Sequence, residues 1–147
     1  MPIKSFRGKM KDNSATRIRL STSNGMTGWK VNKFELMGAN MNEDVEHVVK
    51  VWLLEPAAGD YATEYDFDDA RLLAAAFLRN TKAATAGYND TVIVFDNITF
   101  NQDIWISHKD VGGSTEECNY HLELEQVRLD KNSQAVVTLK DIRANIN

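Results

Sequence analysis

The chain has 147 residues, of which 43% are hydrophobic and 26% are charged, and this composition predicts one globular domain spanning residues 1–147. Its formal net charge is -4 and its basic residues are scattered, which argues against a nucleic-acid partner, because such a partner requires several cations converging on one face. Cys118 is the single cysteine, so an intrachain disulfide and a cysteine-rich zinc or redox site are excluded.

Residues 1–14 open the chain with a basic segment that predicts either an extended arm or an edge strand. In the first nineteen residues the acid Asp12 stands against these cations: Lys4, Arg7, Lys9, Lys11, Arg17 and Arg19. Two interpretations remain open, a solvated strand edge or a contact of Lys4 and Arg7 with an acidic neighbouring subunit. No apolar leader and no run long enough to span a bilayer is present, so we expect a protein made in a cytoplasm with no membrane partner.

Alternating apolar residues predict strands in the first half of the chain. Ile18 and Leu20 share a face. The Asn-Gly step that follows, in residues 23–26, predicts a hairpin leading into a second strand over residues 29–37. Within that second strand the apolar residues change from odd-numbered to even-numbered positions, that is, their parity switches. Such a switch requires a β-bulge or burial on both sides in turn. Residues 45–54 are apolar on both parities, which predicts a central strand or one covered by something beyond its own sheet.

Residues 68–80 predict one short α-helix. Asp68 and Asp69 can cap the free amides of a first turn, the interior is rich in Ala and Leu, and Arg79 lies near the C-terminal carbonyls. We expect this helix to lie across one end or face of a sandwich.

Strand patterns return in the second half of the chain. Residues 91–95 form a β-branched run, residues 98–100 continue it, and residues 104–106 alternate. The clearest alternation lies in residues 120–125, and residues 135–142 predict a last strand. About eight or nine strands separated by turn signals, with one helix, predict a mainly β fold: an antiparallel, jelly-roll-like β-sandwich.

Catalytic patterns are not apparent, so we expect neither an enzyme nor a cofactor. The sequence has no Gly-x-Ser-x-Gly elbow, no Walker loop and no Gly-x-Gly-x-x-Gly segment. His47, His108 and His121 fall on three different strands or strand ends, and we interpret them as lone histidines in preference to metal ligands, although two of them could meet across a sheet. Cys118 follows two Glu residues, which disfavour a thiolate, so we interpret it as structural.

The densest acidic segment comprises Asp60, Glu64, Asp66, Asp68 and Asp69. Calcium takes clustered oxygen ligands from a flexible loop, but this segment lacks the central Gly and the bidentate Glu of an EF-hand loop. We therefore favour a solvated edge with a helix cap, with a weak divalent-cation site as the alternative. Hydrolysis by a pair of these acids would need an opposed partner across a cleft.

Trp52 and Trp105 stand on the parity opposite to their aliphatic neighbours. In a two-layer sandwich one parity faces the core, so one of these rings or both would face outward, where aromatic side chains suit a subunit interface or a sugar platform. A second buried layer beneath the helix explains them equally well. Together with Lys4 and Arg7, the two tryptophans are the candidate interface residues.

The sequence is similar to known proteins in four stretches, residues 3–8, 27–37, 94–106 and 118–125, and the similarity extends to residues 139–143. They resemble a group of small, mostly uncharacterised proteins encoded by tailed phages of marine bacteria. The resemblance implies a multicopy structural protein of the virion, either a capsid decoration or head-surface protein or a tail-associated part, with other virion proteins as partners. Such shell proteins need a rigid domain and exposed edges but no active site. We expect a homo-oligomer, with a carbohydrate- or receptor-binding module as the alternative.

Overall fold

The computed structural model describes residues 2–20, 25–61, 64–81, 88–95, 98–130 and 132. A 3-10 turn, Ala58–Tyr61, lies between the fourth and fifth strands. The described ranges contain eight strands: β1 (Ile3–Met10), β2 (Ser14–Ile18), β3 (Thr27–Gly38), β4 (Val45–Trp52), β5 (Leu72–Asn80), β6 (Tyr88–Val94), β7 (Ile104–Asp110) and β8 (Cys118–Arg128).

The strands form two antiparallel sheets that pack face to face. One has three strands in the order β1-β8-β3, and the other has five in the order β2-β7-β4-β5-β6. Their inner faces enclose one apolar core, whose fully buried side chains include Met10, Leu73, Leu78, Phe100, Ile104, Ile106, Leu122 and Leu124. The predicted antiparallel β-sandwich is therefore confirmed.

The parity switch predicted within residues 29–37 is a β-bulge. The register of β3 against β8 shifts between Val31 and Lys33: Val31 pairs with Leu124, and Lys33 pairs with Glu123. The extra residue lets Val31 and Phe34, which have opposite parity, both lie in the core.

The predicted hairpin between the second and third strands is wrong. β2 pairs with β7 in the five-stranded sheet, whereas β3 pairs with β8 in the three-stranded sheet. Gly25, which has a positive φ of 65°, lies on the stretch that crosses between the sheets, and residues 21–24 lie outside the described residues. An Asn-Gly step favours a reversal of the chain, but it does not select the partner of the strand that follows.

The helix predicted over residues 68–80 is also wrong, because residues 72–80 form β5, inside the five-stranded sheet. β5 is hydrogen-bonded to β4 on one side and to β6 on the other. Ala74 and Ala76 face the core between the sheets, and Ala75 belongs to a second apolar cluster on the outer face. Helix propensity differs by only a few tenths of a kcal/mol per residue, so two ladders and burial on both faces override it.

Two other strand predictions have different outcomes. Residues 98–100 contribute an isolated bridge, in which the N–H of Phe100 donates to the Trp29 carbonyl at 2.9 Å and the N–H of Trp29 donates to the Phe100 carbonyl at 2.8 Å. The last predicted strand, residues 135–142, lies outside the described residues.

Candidate functional site

The cations Lys4 and Arg7 both lie on β1, an edge strand of the three-stranded sheet. Because they are three positions apart on a regular strand, they point to opposite faces. Lys4 Nζ lies 5.4 Å from the ring centroid of Phe6 and 5.9 Å from that of Trp29. Arg7 is exposed on the outer face. The two cations therefore share an edge but not a surface.

Trp52 and Trp105 are brought together on the other sheet, where they are direct partners across β4 and β7. Trp52 is only 4% exposed, and its Nε1 donates to the Ser107 hydroxyl at 2.8 Å. Trp105 is half-buried, and the Arg17 guanidinium lies 5.7 Å from its ring centroid. Trp52 faces away from the core between the sheets, but it belongs to a second buried cluster and has little surface left for a partner. The structure thus places Trp52 and Trp105 on one sheet and the two cations, Lys4 and Arg7, on the other.

The described residues of the stretch 53–71, which are 53–61 and 64–71 and which we call the cover segment, bury Trp52. Lys50 is only 4% exposed, and its ammonium group donates to the Asp60 carbonyl at 3.1 Å and to the Glu64 carbonyl at 2.6 Å. It lies 5.8 Å from the Trp52 ring centroid and 5.2 Å from that of Tyr65. Burial lowers the pKa of Lys50. The second apolar face of β4 is therefore covered by this chain itself, not by a neighbouring molecule.

Arg71 fastens the end of the cover segment. Its Nη2 lies 2.7 Å from Asp69 Oδ2, its Nη1 lies 3.3 Å from Asp60 Oδ2, and the guanidinium lies 5.0 Å from the Trp52 ring centroid. The hydrogen bond from Arg71 is the main reason that the pKa of Asp69 is lowered. Asp69 Oδ1 also accepts the Arg71 backbone N–H at 3.0 Å, so this acid caps a turn before β5 and not a helix. Two acids of the segment are thus already paired with a cation.

Replacing Arg71 with Ala is expected to loosen the cover segment. The variant loses two carboxylate contacts and the stacking over Trp52, which we expect to lower the free energy of unfolding by about 1–2 kcal/mol. Limited proteolysis within residues 53–71 should become faster, and Trp fluorescence should report a more solvated indole. The matched control is Arg79→Ala, whose ion pair with Glu46 is long, 3.5 Å, and exposed. Equal proteolysis of the two variants would contradict this assignment.

His47 and His108 meet across β4 and β7, so their interpretation as lone histidines is wrong. Val49 pairs with His108 in the β4–β7 register, which makes His47 a diagonal neighbour of His108 on the inner face. His47 Nδ1 lies 2.8 Å from His108 Nε2, and the ring centroids are 4.9 Å apart. His121 lies apart from them on β8 and is half-buried.

The surroundings keep this pair neutral. Burial is the main cause that lowers the pKa of His47 to about 4, and the proximity of His108 lowers it further. Burial also lowers the pKa of His108. Cys118 is buried at the same end of the core, and burial raises the pKa of its thiol to about 12. Both imidazoles and the thiol are therefore uncharged at neutral pH.

A signal for this grouping was present in the sequence. His47 shares its parity with the core residues of β4, as His108 does on β7 and Cys118 on β8. Parity alone therefore places all three side chains in the core. It does not show that they meet, because the pairing of β4 with β7 and the packing of β8 on them are long-range.

This chain matches no protein-family model and no curated protein sequence. Within the described residues, no helix has the length and apolar character needed to cross a membrane.

Proposed function

We propose that this chain is a non-enzymatic structural subunit of a tailed-phage virion, a multicopy capsid decoration or head-surface protein or a tail-associated component, that acts through protein–protein assembly. The observation that carries the proposal is the open edge of β6 beside an apolar groove. The resemblance to proteins of marine tailed phages supplies the virion as the setting.

Among the described residues, β6 pairs with β5 and has no partner on its other side. The first four residues of β6 are exposed, and Ile93 is 41% exposed. An edge strand of this kind presents a row of backbone N–H and C=O groups to which a strand of another chain can add. β6 therefore suits strand addition by a neighbouring subunit.

An apolar groove of about 160 Å³ lies next to this edge on the outer face of the five-stranded sheet. Phe67, 52% exposed, and Ile93 stand at the groove, and the Phe67 ring packs edge-on against Phe95 with centroids 4.9 Å apart. The remaining lining residues are Tyr65, Ala75, Ala76, Phe77 and Thr91. Aromatic and aliphatic side chains in a groove are typical of protein interfaces. A side chain from the added strand would occupy this groove.

The opposite sheet offers a second open edge of different chemistry. Among the described residues, β1 pairs with β8 alone, and Arg7 and Lys9 are exposed on it. Two unlike edges on one subunit suit head-to-tail contacts between many copies or contacts with different neighbours.

The test is incorporation into particles. Replacing Ile93 with Lys places a charge at the groove and is expected to reduce binding to particles that lack the protein at least about tenfold, with thermal stability unchanged. Met37→Lys is the matched control, because Met37 is 65% exposed on the three-stranded sheet. Quantitative mass spectrometry of purified particles measures copy number, and light scattering measures self-association. A wild-type chain that is monomeric and absent from the particles would overturn the proposal.

A further inference from the structure

Three metal-ligating side chains meet at one end of the core, between the two sheets. His47 comes from β4, His108 from β7 and Cys118 from β8, and all three are fully buried. Each offers one donor atom, and the three donor atoms lie within 4.8 Å of one another. In the described ranges no other group of three His, Cys, Asp or Glu side chains comes this close.

The hydrogen bonds determine which nitrogen atoms carry lone pairs. His108 Nδ1 lies 2.9 Å from the Lys11 carbonyl, and a carbonyl only accepts, so this nitrogen carries the proton. His108 Nε2 therefore has the lone pair and accepts from His47 Nδ1. His47 Nε2 is left with a buried lone pair and no hydrogen-bond partner among the described residues. Such an unpaired nitrogen is rare in a protein core.

The thiol of Cys118 is also weakly engaged. Its Sγ lies 3.8 Å from the Met37 carbonyl and 3.5 Å from the Asn119 carbonyl. A thiol is a weak hydrogen-bond donor, so little is lost when its proton is replaced by an ion.

We propose that His47, His108 and Cys118 form an inter-sheet site for one thiophilic d10 metal ion, Zn²⁺ or Cu⁺. Neutral imidazole and thiolate are the donors that these ions prefer. Donor atoms around such an ion lie roughly 3.5 Å apart, so the side chains need only small rotations from their present positions. Binding forms metal–nitrogen bonds and a metal–sulfur bond, breaks the hydrogen bond from His47 Nδ1 to His108 Nε2, and releases the thiol proton to solvent, with no change in oxidation state.

The contact of His108 with Lys11 is the kind of support that metal-binding histidines have. A ligating imidazole usually donates its other N–H to a carbonyl or carboxylate, which holds the ring in position and selects the coordinating nitrogen. The buried Asp110 carboxylate also acts electrostatically on His47. One thiolate makes a Cu⁺ complex neutral, whereas Zn²⁺ leaves a positive charge that Asp110 can offset.

A thioether lies near the cluster. A Cβ added to Gly38 would stand 2.8 Å from Met41 Sδ and 3.6 Å from His47 Nε2. The thioether and the imidazole therefore both approach the position that a side chain of residue 38 would occupy. Met41 is itself 40% exposed. A thioether suits Cu⁺ better than Zn²⁺.

Metal binding to purified protein, first stripped of metal and reduced, tests the proposal. We expect one ion per chain, measured by competition with chromophoric chelators for Zn²⁺ and, without oxygen, for Cu⁺. An ion at a hundredfold excess over its Kd should raise the melting temperature by on the order of 10 °C, because it joins the two sheets. Cys118→Ser should weaken binding by about 100-fold or more, and His121→Gln, on the outer face of β8, should leave it unchanged.

A measurement on the wild-type chain covers the case in which Cys118→Ser does not fold. X-ray absorption at the zinc edge should show one sulfur together with nitrogen neighbours around bound Zn²⁺. Met41→Leu distinguishes the two ions, because it should weaken the binding of Cu⁺ more than that of Zn²⁺. Failure of the folded wild type to bind either ion with 1:1 stoichiometry, or a bound ion with no sulfur neighbour, would overturn the proposal.

Discussion

Acidification from pH 7 to pH 4.5 is expected to lower the free energy of unfolding of the metal-free protein by about 2–3 kcal/mol through His47 alone. The ordinary histidine pKa is 6.5, whereas burial and then the nearby His108 lower the pKa of His47 to about 4 in the folded protein. Between these pH values the unfolded chain binds a proton that the folded chain does not, so stability falls as the pH falls. The lowered pKa of His108 acts in the same direction.

Asp110 and Asp12 face the histidine pair and raise the pKa of both rings, but less than burial lowers it. Urea unfolding followed by Trp fluorescence between pH 7 and pH 4.5, with a chelator present, measures the effect. The curve of His47→Gln should be flatter than that of the wild type, whereas His121→Gln should follow the wild type. A wild-type stability that does not change between pH 6.5 and pH 4.5 would contradict the neutral buried pair.

Replacing Asp110 with Ala is expected to lower the free energy of unfolding by about 3–5 kcal/mol. Asp110 Oδ1 accepts the N–H of Gly112 at 2.9 Å and that of Glu46 at 3.0 Å, and Oδ2 accepts the N–H of Glu116 at 3.1 Å. Burial by itself would raise the pKa of Asp110, but these backbone hydrogen bonds outweigh it and the pKa is lowered. The loop that precedes Cys118 is thus held by one carboxylate.

Asp110→Asn separates the hydrogen bonds from the volume of the side chain. Its Oδ1 can still accept from Gly112 and Glu46, but its amide cannot accept from Glu116, so we expect a smaller loss of about 1–2 kcal/mol. Asp90→Ala, on the exposed edge strand β6, is the control and should change stability by less than about 0.5 kcal/mol. Equal stability of Asp110→Ala and Asp90→Ala in urea unfolding would refute the proposed role of Asp110.

The strands with clear alternation were predictable because burial of one face makes apolar and polar residues alternate along the sequence. On β8, Tyr120, Leu122 and Leu124 face the core as their parity predicts. The bulge in β3 was readable for the same reason, since Val31 and Phe34 are both apolar at opposite parity. β4 was predicted to be central or to have one face covered by something beyond its own sheet; it lies between β7 and β5, and its outer face is covered by the cover segment. The pattern of β4 did not identify which segment of the chain would cover it.

β5 shows where local reasoning fails. Its run of Ala residues has a high helix propensity, and small side chains on both faces erase the alternation that marks a strand. Its strand state follows from the pairing with β4 and β6 and from burial beneath the cover segment. Neither cause is visible within residues 72–80, because both depend on segments elsewhere in the chain.

The sequence by itself determined the fold class and the inward side of most strands, including the inward parity of His47, His108 and Cys118, because alternation is a property of neighbouring residues. Tertiary structure alone decided which strands pair, that β5 is not a helix, and that these three side chains meet. The physical reason is distance along the chain. His47 and His108 are 61 positions apart, and many combinations of strand partners satisfy the same two-residue pattern, so packing of the whole core selects among them.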